Sequence, residues 1–130
     1  MRLTGGCLCG AVRYIADGEP VNVRACHCRK CQKATGGVFY ARARYRQAAV
    51  AIDGETRSYP SSERIERVFC PACGTTLFSR SIDGGGYIGV SLPTLDDAGA
   101  LRPTEHIFVD FKQPWLELAD GLPQFPEQSP

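Results

Sequence analysis

Seven cysteines carry most of the chemistry this chain can do. They are Cys7 and Cys9 in "GGCLCG", Cys26, Cys28 and Cys31 in "ACHCRKCQKATGG", and Cys70 and Cys73 in "FCPACG". Every one sits in a C-x-C or C-x-x-C pair. Neighbours this close bridge poorly, because a disulfide wants Cα atoms about 5.5 Å apart and well-aimed Cβ vectors. The odd number also argues against a fully paired disulfide set. Clustered cysteines with no export signal point instead to metal ligation or redox chemistry.

Zinc takes thiolates tetrahedrally, and its structural sites use four protein ligands. The outer pairs supply four: Cys7, Cys9, Cys70 and Cys73. Joining them at one ion closes a long loop and staples the N-terminal strand to a later hairpin, so metal binding contributes folding energy. Gly10 and Gly74, directly after the two pairs, suit the knuckle turns of zinc ribbons. Cys26, Cys28 and Cys31 remain. Three thiolates and an open fourth position make the pattern of a catalytic or substrate-binding zinc. In an extended C-H-C segment His27 points away from its neighbours, whereas His106 stays open as a fourth ligand. Cys28 and Cys31 also form a C-x-x-C that can cycle between dithiol and disulfide. The helical surroundings of a thioredoxin-type motif are absent.

Charge narrows the chemistry. Zinc with three thiolates is formally an anion and a weak Lewis acid, yet it can hold one more thiolate ionised near neutral pH. Arg24, Arg29, Lys30 and Lys33 flank the triple and are candidates to offset its charge or to hold ligand carboxylates. Taken singly, each fits a solvated basic face better. Tyr40, Tyr45, Tyr59, Tyr87 and the two histidines qualify as general acids or bases by residue type alone.

These residues must be positioned by short strands. "GAVRYIA" (10–16) alternates, with Val12 and Tyr14 on one face and Arg13 and Ile15 on the other. Segments 21–26, 38–44, 48–52, 64–70, 76–80, 87–92 and 106–109 read as strands too. "CRKCQKAT" suits one or two helical turns, and "LDDAG" another. The basic run "RARYR" (42–46) alternates as the solvent face of a strand does. Segment 38–44 is a candidate edge for pairing in a homodimer. Trp115 is expected to pack on the core. The proline-rich end reads as a surface tail that Phe125 can anchor. The expectation is an all-β fold of small antiparallel sheets held by zinc, with one domain over 1–125 and a tail over 126–130.

The chain has 130 residues and a formal net charge of +1, with 43% hydrophobic and 22% charged residues. This suits one globular domain. It gives no electrostatic case for nucleic acid, and loading seven thiolates and two zincs makes the protein mildly acidic. There is no apolar run of the ~20 residues that cross a bilayer, nor a signal-peptide-like start. A cytoplasmic protein is expected.

The motifs "GGCLCGAVRY", "CHCRKCQKATGG" and "FCPACGTTLFSR", in that order, resemble the glutathione-dependent formaldehyde-activating (GFA) family, which includes the centromere protein V domain. "HIFVDFKQPWLELADGLPQF" resembles its C-terminal segment, so the likeness runs from about Gly5 to about Phe125. It implies the β-tent fold. It implies a structural zinc on Cys7, Cys9, Cys70 and Cys73, and a catalytic zinc on Cys26, Cys28 and Cys31 open to substrate. It also implies a carbon–sulfur lyase, akin to S-hydroxymethylglutathione synthase. The partners would be a thiol such as glutathione and a small aldehyde such as formaldehyde. A zinc-binding interaction module or a thiol redox sensor is the alternative, since these motifs identify scaffold before reaction.

Overall fold

The computed structural model describes residues 1–129. Their strands form two sheets. β1 (Arg2–Gly6), β2 (Arg13–Asp17) and β5 (Val50–Asp53) make a small antiparallel sheet in the order β1-β2-β5. The other strands are β3 (Asn22–Cys26), β4 (Tyr40–Arg46), β6 (Arg57–Pro60), β7 (Ile65–Phe69), β8 (Thr76–Ser81), β9 (Tyr87–Ser91) and β10 (Glu105–Ile107). They form a seven-stranded sheet in the order β10-β3-β4-β9-β8-β7-β6. It is larger than the expected small sheets and not wholly antiparallel, because β10 lies parallel to β3. A parallel neighbour needs a long crossover, and here the chain builds most of the sheet before it returns to β3.

Alternation decides the faces. On β2, Tyr14 and Ala16 are buried while Arg13 and Asp17 are exposed. On β4, Ala43 and Tyr45 enter the core, and Arg42 and Arg44 take the opposite face. The main core joins both sheets through Tyr14, Tyr45, Val68, Leu77, Phe78 and Val90. The Tyr14 and Phe78 rings meet edge-on, with centroids 5.2 Å apart, a favoured aromatic geometry. A second cluster surrounds the cysteine triple: Cys26, Cys31, Tyr40 and Ile107, with Phe108 and Phe125 packed against it.

α1 (Arg29–Thr35) has two turns, as "CRKCQKAT" suggests. Cys28 is its N-cap, its sulfur accepting from the Cys31 N–H, and Gly36 ends it at φ 72°. That left-handed position favours glycine, which has no Cβ to clash.

Several expectations are corrected. "LDDAG" forms no helix; a single 3-10 turn over Leu92–Thr94 precedes it. β4 is central, between β3 and β9, so segment 38–44 offers no free edge for a homodimer. β10 and β6 are the edges of that sheet. Trp115 is 68% exposed and is not a core residue, since residues 112–119 form no strand to carry it inward. Phe125 does anchor its segment. Its N–H donates to the His106 carbonyl, and its own carbonyl accepts from Val109. Among the described residues no helix is long and apolar enough to cross a membrane.

Candidate metal centres and the adjoining cavity

The outer cysteine pairs meet at the junction of the two sheets. The sulfurs of Cys7, Cys9, Cys70 and Cys73 all lie within 4.8 Å of one another. Cys9 is 3.6 Å from Cys7 and 3.8 Å from Cys70. A tetrahedral zinc with bonds of about 2.3 Å sets its sulfurs about 3.8 Å apart, so this donor set fits the ion. Two tight turns aim the sulfurs. The Gly10 N–H donates to the Cys7 carbonyl and the Gly74 N–H to that of Cys70. Both glycines have positive φ, 81° and 78°. Val12 N–H points at the Cys7 sulfur at 3.3 Å. The Thr75 hydroxyl accepts from Leu8 N–H and lies 3.2 Å from the Cys73 sulfur. Hydrogen bonds from the Thr75 side chain and backbone pull Cys73 down to about 5, so this thiol ionises readily.

The triple is built differently. Cys26 ends β3, opposite Tyr40 on β4 and Ile107 on β10. Cys28 caps α1, and Cys31 lies in its first turn. These sulfurs too are mutually within 4.8 Å. Hydrogen bonding from Cys26, then from Cys31, drives Cys28 strongly toward thiolate, and the same contact with Cys28 drives Cys26 far upward. Three touching sulfurs cannot all ionise without a cation, so this set too fits a metal ion. Arg67 supplies part of that positive charge. Both its terminal nitrogens lie 3.6 Å from the Cys31 sulfur, and its Nε donates to Ser61 Oγ at 3.0 Å.

The histidines belong to neither sulfur group. Buried His27 Nε2 meets His106 Nδ1 at 2.9 Å, and His106 Nε2 meets Asp120 at 2.7 Å. Both ring nitrogens of His106 are therefore occupied, which removes it as a fourth ligand to the triple. Burial, then the neighbouring His106, lowers His27 to about 4, so it is neutral near pH 7. Gln32 Nε2 donates to the carbonyls of His27 and Phe111. The cysteine loop, α1 and the C-terminal segment are thus tied together.

Beside the triple lies a cavity of about 380 Å³, floored by β4, β7, β8 and β9. Small-molecule sites commonly fall at roughly 300–1,000 Å³. Tyr40 stands in its wall, accepting from Ser91 Oγ at 3.0 Å. Burial raises the Tyr40 hydroxyl above its ordinary value, so it stays protonated. Tyr87 lines the cavity as well, whereas Tyr45 is in the core and Tyr59 is exposed.

The cations here are not those expected. Arg24 pairs with Glu105 at 3.2 Å, Arg29 contacts Gln32, and Lys30 and Lys33 line a separate depression. The cavity is lined instead by Arg42, Arg44, Arg64 and Arg67. Of "RARYR", Arg46 is exposed as a solvent face requires, but Arg42 and Arg44 are half-buried against the cavity. The run's alternation with Tyr40, the register partner of Cys26, was the signal that could have placed Arg42 and Arg44 beside the triple.

A family model described as glutathione-dependent formaldehyde-activating enzyme matches residues 2–111. The chain belongs to this GFA family. An uncharacterized lyase of Schizosaccharomyces pombe is 34% identical to this GFA protein over 80 residues, 62% of the chain. The chain spans only 58% of that relative's length. A putative glutathione-dependent formaldehyde-activating enzyme of Halomonas elongata is 27% identical over 135 residues, covering 91% of this chain and 82% of its own. A crystal structure of a Rhodobacter sphaeroides protein shares the fold, with a TM-score of 0.61. Its identity is 21%, over 95% of this chain and 99% of that one.

Proposed function

We propose that this GFA protein is a zinc-dependent carbon–sulfur lyase, acting on adducts between a glutathione-type thiol and a small aldehyde such as formaldehyde. One observation carries the reading: three converging cysteine sulfurs line a cavity large enough for a small thiol, and among the described residues no fourth sulfur, histidine or carboxylate joins their group. The names of the Halomonas and fission-yeast relatives support the same chemistry. Cys26, Cys28 and Cys31 would hold the catalytic zinc, and Cys7, Cys9, Cys70 and Cys73 a structural one. A zinc ion on three thiolates supplies the positive charge that keeps a substrate thiol ionised near neutral pH.

The chain's own groups do the rest. Arg67 braces the Cys31 sulfur and offsets the negative charge that gathers when a fourth sulfur arrives. Ile107 and Phe108 give the cavity an apolar wall. Tyr40 lines the cavity, and its hydroxyl, held on β9 by Ser91 Oγ and the Gly89 carbonyl, is the candidate to give a proton to an aldehyde oxygen. In the forward direction the thiol sulfur attacks the carbonyl carbon. A carbon–sulfur bond forms, the carbonyl π bond opens, the oxygen takes the Tyr40 proton, and the proton the thiol gave up returns to Tyr40. The reverse step releases thiol and aldehyde. Nothing is oxidised or reduced.

The test is exchange spectroscopy by NMR on zinc-loaded protein with glutathione and formaldehyde. Adduct exchange faster than in buffer is expected. Exchange at the buffer rate, across several thiols, overturns the proposal.

A further inference from the structure

The cavity carries more positive charge than the cysteine triple explains. Among the described residues, four arginines line it against one carboxylate, that of Asp83. Elsewhere the arginines that form ion pairs are Arg2, Arg13, Arg24 and Arg80. None of the four cavity arginines has an acidic partner among the described residues. Two have other reasons to be there: Arg67 is engaged with Cys31 and Ser61, and Arg64 is exposed at the mouth.

Arg42 and Arg44 are different. They project from the same face of central β4, both half-buried. Arg42 finds a neutral acceptor, Asn22 Oδ1 at 2.7 Å. Arg44 lies over the Tyr87 ring with its guanidinium carbon 3.9 Å from the centroid. Two neighbouring cations held away from water without an anion are costly. Burial, together with Arg44 and Arg24 nearby, presses the Arg42 proton affinity downward. The sheet is nonetheless shaped to keep Arg42 there. A Cβ on Gly89 would sit 2.8 Å from Arg42 Cδ and 2.5 Å from Ser79 Oγ. Glycine at this position on β9 opens a channel in which the Arg42 stem lies flat.

We propose that Arg42 and Arg44 are specificity-determining residues that clamp a carboxylate remote from the sulfur, so the protein selects anionic thiols over neutral ones. A planar guanidinium takes a carboxylate through two parallel hydrogen bonds, and a ring stacked beneath it fixes its plane in advance. The inference rests on reading the cavity as the thiol site, and it adds which end of the ligand is read and by which side chains.

The experiment separates the two. Calorimetry on the full metal-loaded chain compares S-methylglutathione, which presents no thiolate, with its dimethyl ester, which also lacks the carboxylates. The acid is expected to bind at least tenfold more tightly, with the preference shrinking as salt rises. In Arg42→Gln and, independently, Arg44→Gln, the acid-to-ester ratio falls about tenfold, and Arg42→Lys restores part of it. Circular dichroism checks that each variant is folded, and two separate variants guard against one failing to fold. Equal binding of acid and ester by the wild type overturns the clamp, as does no binding of either, or an unchanged ratio in both glutamine variants. A charge preference without any adduct exchange leaves the clamp standing and removes the lyase reading. Adduct exchange indifferent to thiol charge does the opposite.

Discussion

The four-cysteine and three-cysteine clusters offer one ligand chemistry in two different settings. The first joins residues distant in the chain, with Cys9 and Cys70 separated by 61 positions. It ties the end of β1 in the small sheet to the β7–β8 turn of the large one. The second spans six consecutive residues on one strand end and one helical turn. Loop-closure scaling gives a cross-link over the long span about 4 kcal/mol and one over the short span about 2 kcal/mol. The second cluster is also the one open to a basic cavity. On our proposal, distance along the chain separates a clasp from a working site, although the sulfurs look alike.

The most damaging way to test this contrast is to cut the clasp. Cys70→Ala should cost about 4 kcal/mol or more, lowering the melting temperature by about 15 °C. Thermal denaturation followed by circular dichroism measures it, and a melt within a few degrees of the wild type would remove the clasp role. Cys28→Ser should do the reverse. Serine also caps helices well, so α1 persists and the melt moves by no more than about 7 °C. Elemental mass spectrometry should then find one zinc fewer per chain, and adduct exchange should fall to the buffer rate.

Arg67→Gln probes the open site more gently. Without the guanidinium beside Cys31, zinc should leave the triple roughly tenfold faster to a chelator, about 1.4 kcal/mol, while the four-cysteine zinc stays. A chelating dye resolves the two phases; identical rates with and without Arg67 would strip this residue of its bracing role. The effect that is smallest at neutral pH concerns the small sheet next to the clasp. Burial of the Tyr14 hydroxyl raises it to about 12. The folded state therefore keeps a proton that the unfolded chain loses at about 10. Stability from this group is fully present below pH 10 and declines between about 10 and 12, by at most about 1.4 kcal/mol per pH unit. Tyr14→Phe should flatten that part of the pH–stability curve, as denaturant melts at pH 9 and 11 would show.

What could be read in advance followed from how local each signal is. Pairs such as Cys70 and Cys73 declare themselves because one turn aims both sulfurs. The strands with alternating apolar residues, such as β2 with Tyr14 and Ala16, were legible for the same reason. β1 was missed because "RLTGG" ends in glycines, which favour strands poorly. Packing supplies the reason for Gly5: a Cβ there would lie 2.3 Å from the Tyr14 hydroxyl. β6, "RSYP", is exposed at every position and carries no burial pattern to read. Arg42 and Arg44 look like any solvated strand face until β9 and β7 enclose that face. Enclosure is a property of the assembled sheet, and no window of the chain contains it. The parallel return of β10 to β3 is non-local in the same way.

The 61-position interval has a further meaning on the ribosome. At about 5–20 residues per second, Cys7 and Cys9 emerge roughly 3–12 s before their partners. During that interval Cys26, Cys28 and Cys31 have already been synthesised, complete as a set and needing only one strand end and one turn of helix. If both sets take zinc as we propose, the triple would meet its ion while the clasp is still half made. On that proposal the nascent chain would present two unpartnered thiols alongside a triple that competes with them for the same metal. How a newly made molecule is filled would then depend on the order of its codons as well as on the relative affinities of its two cysteine sets.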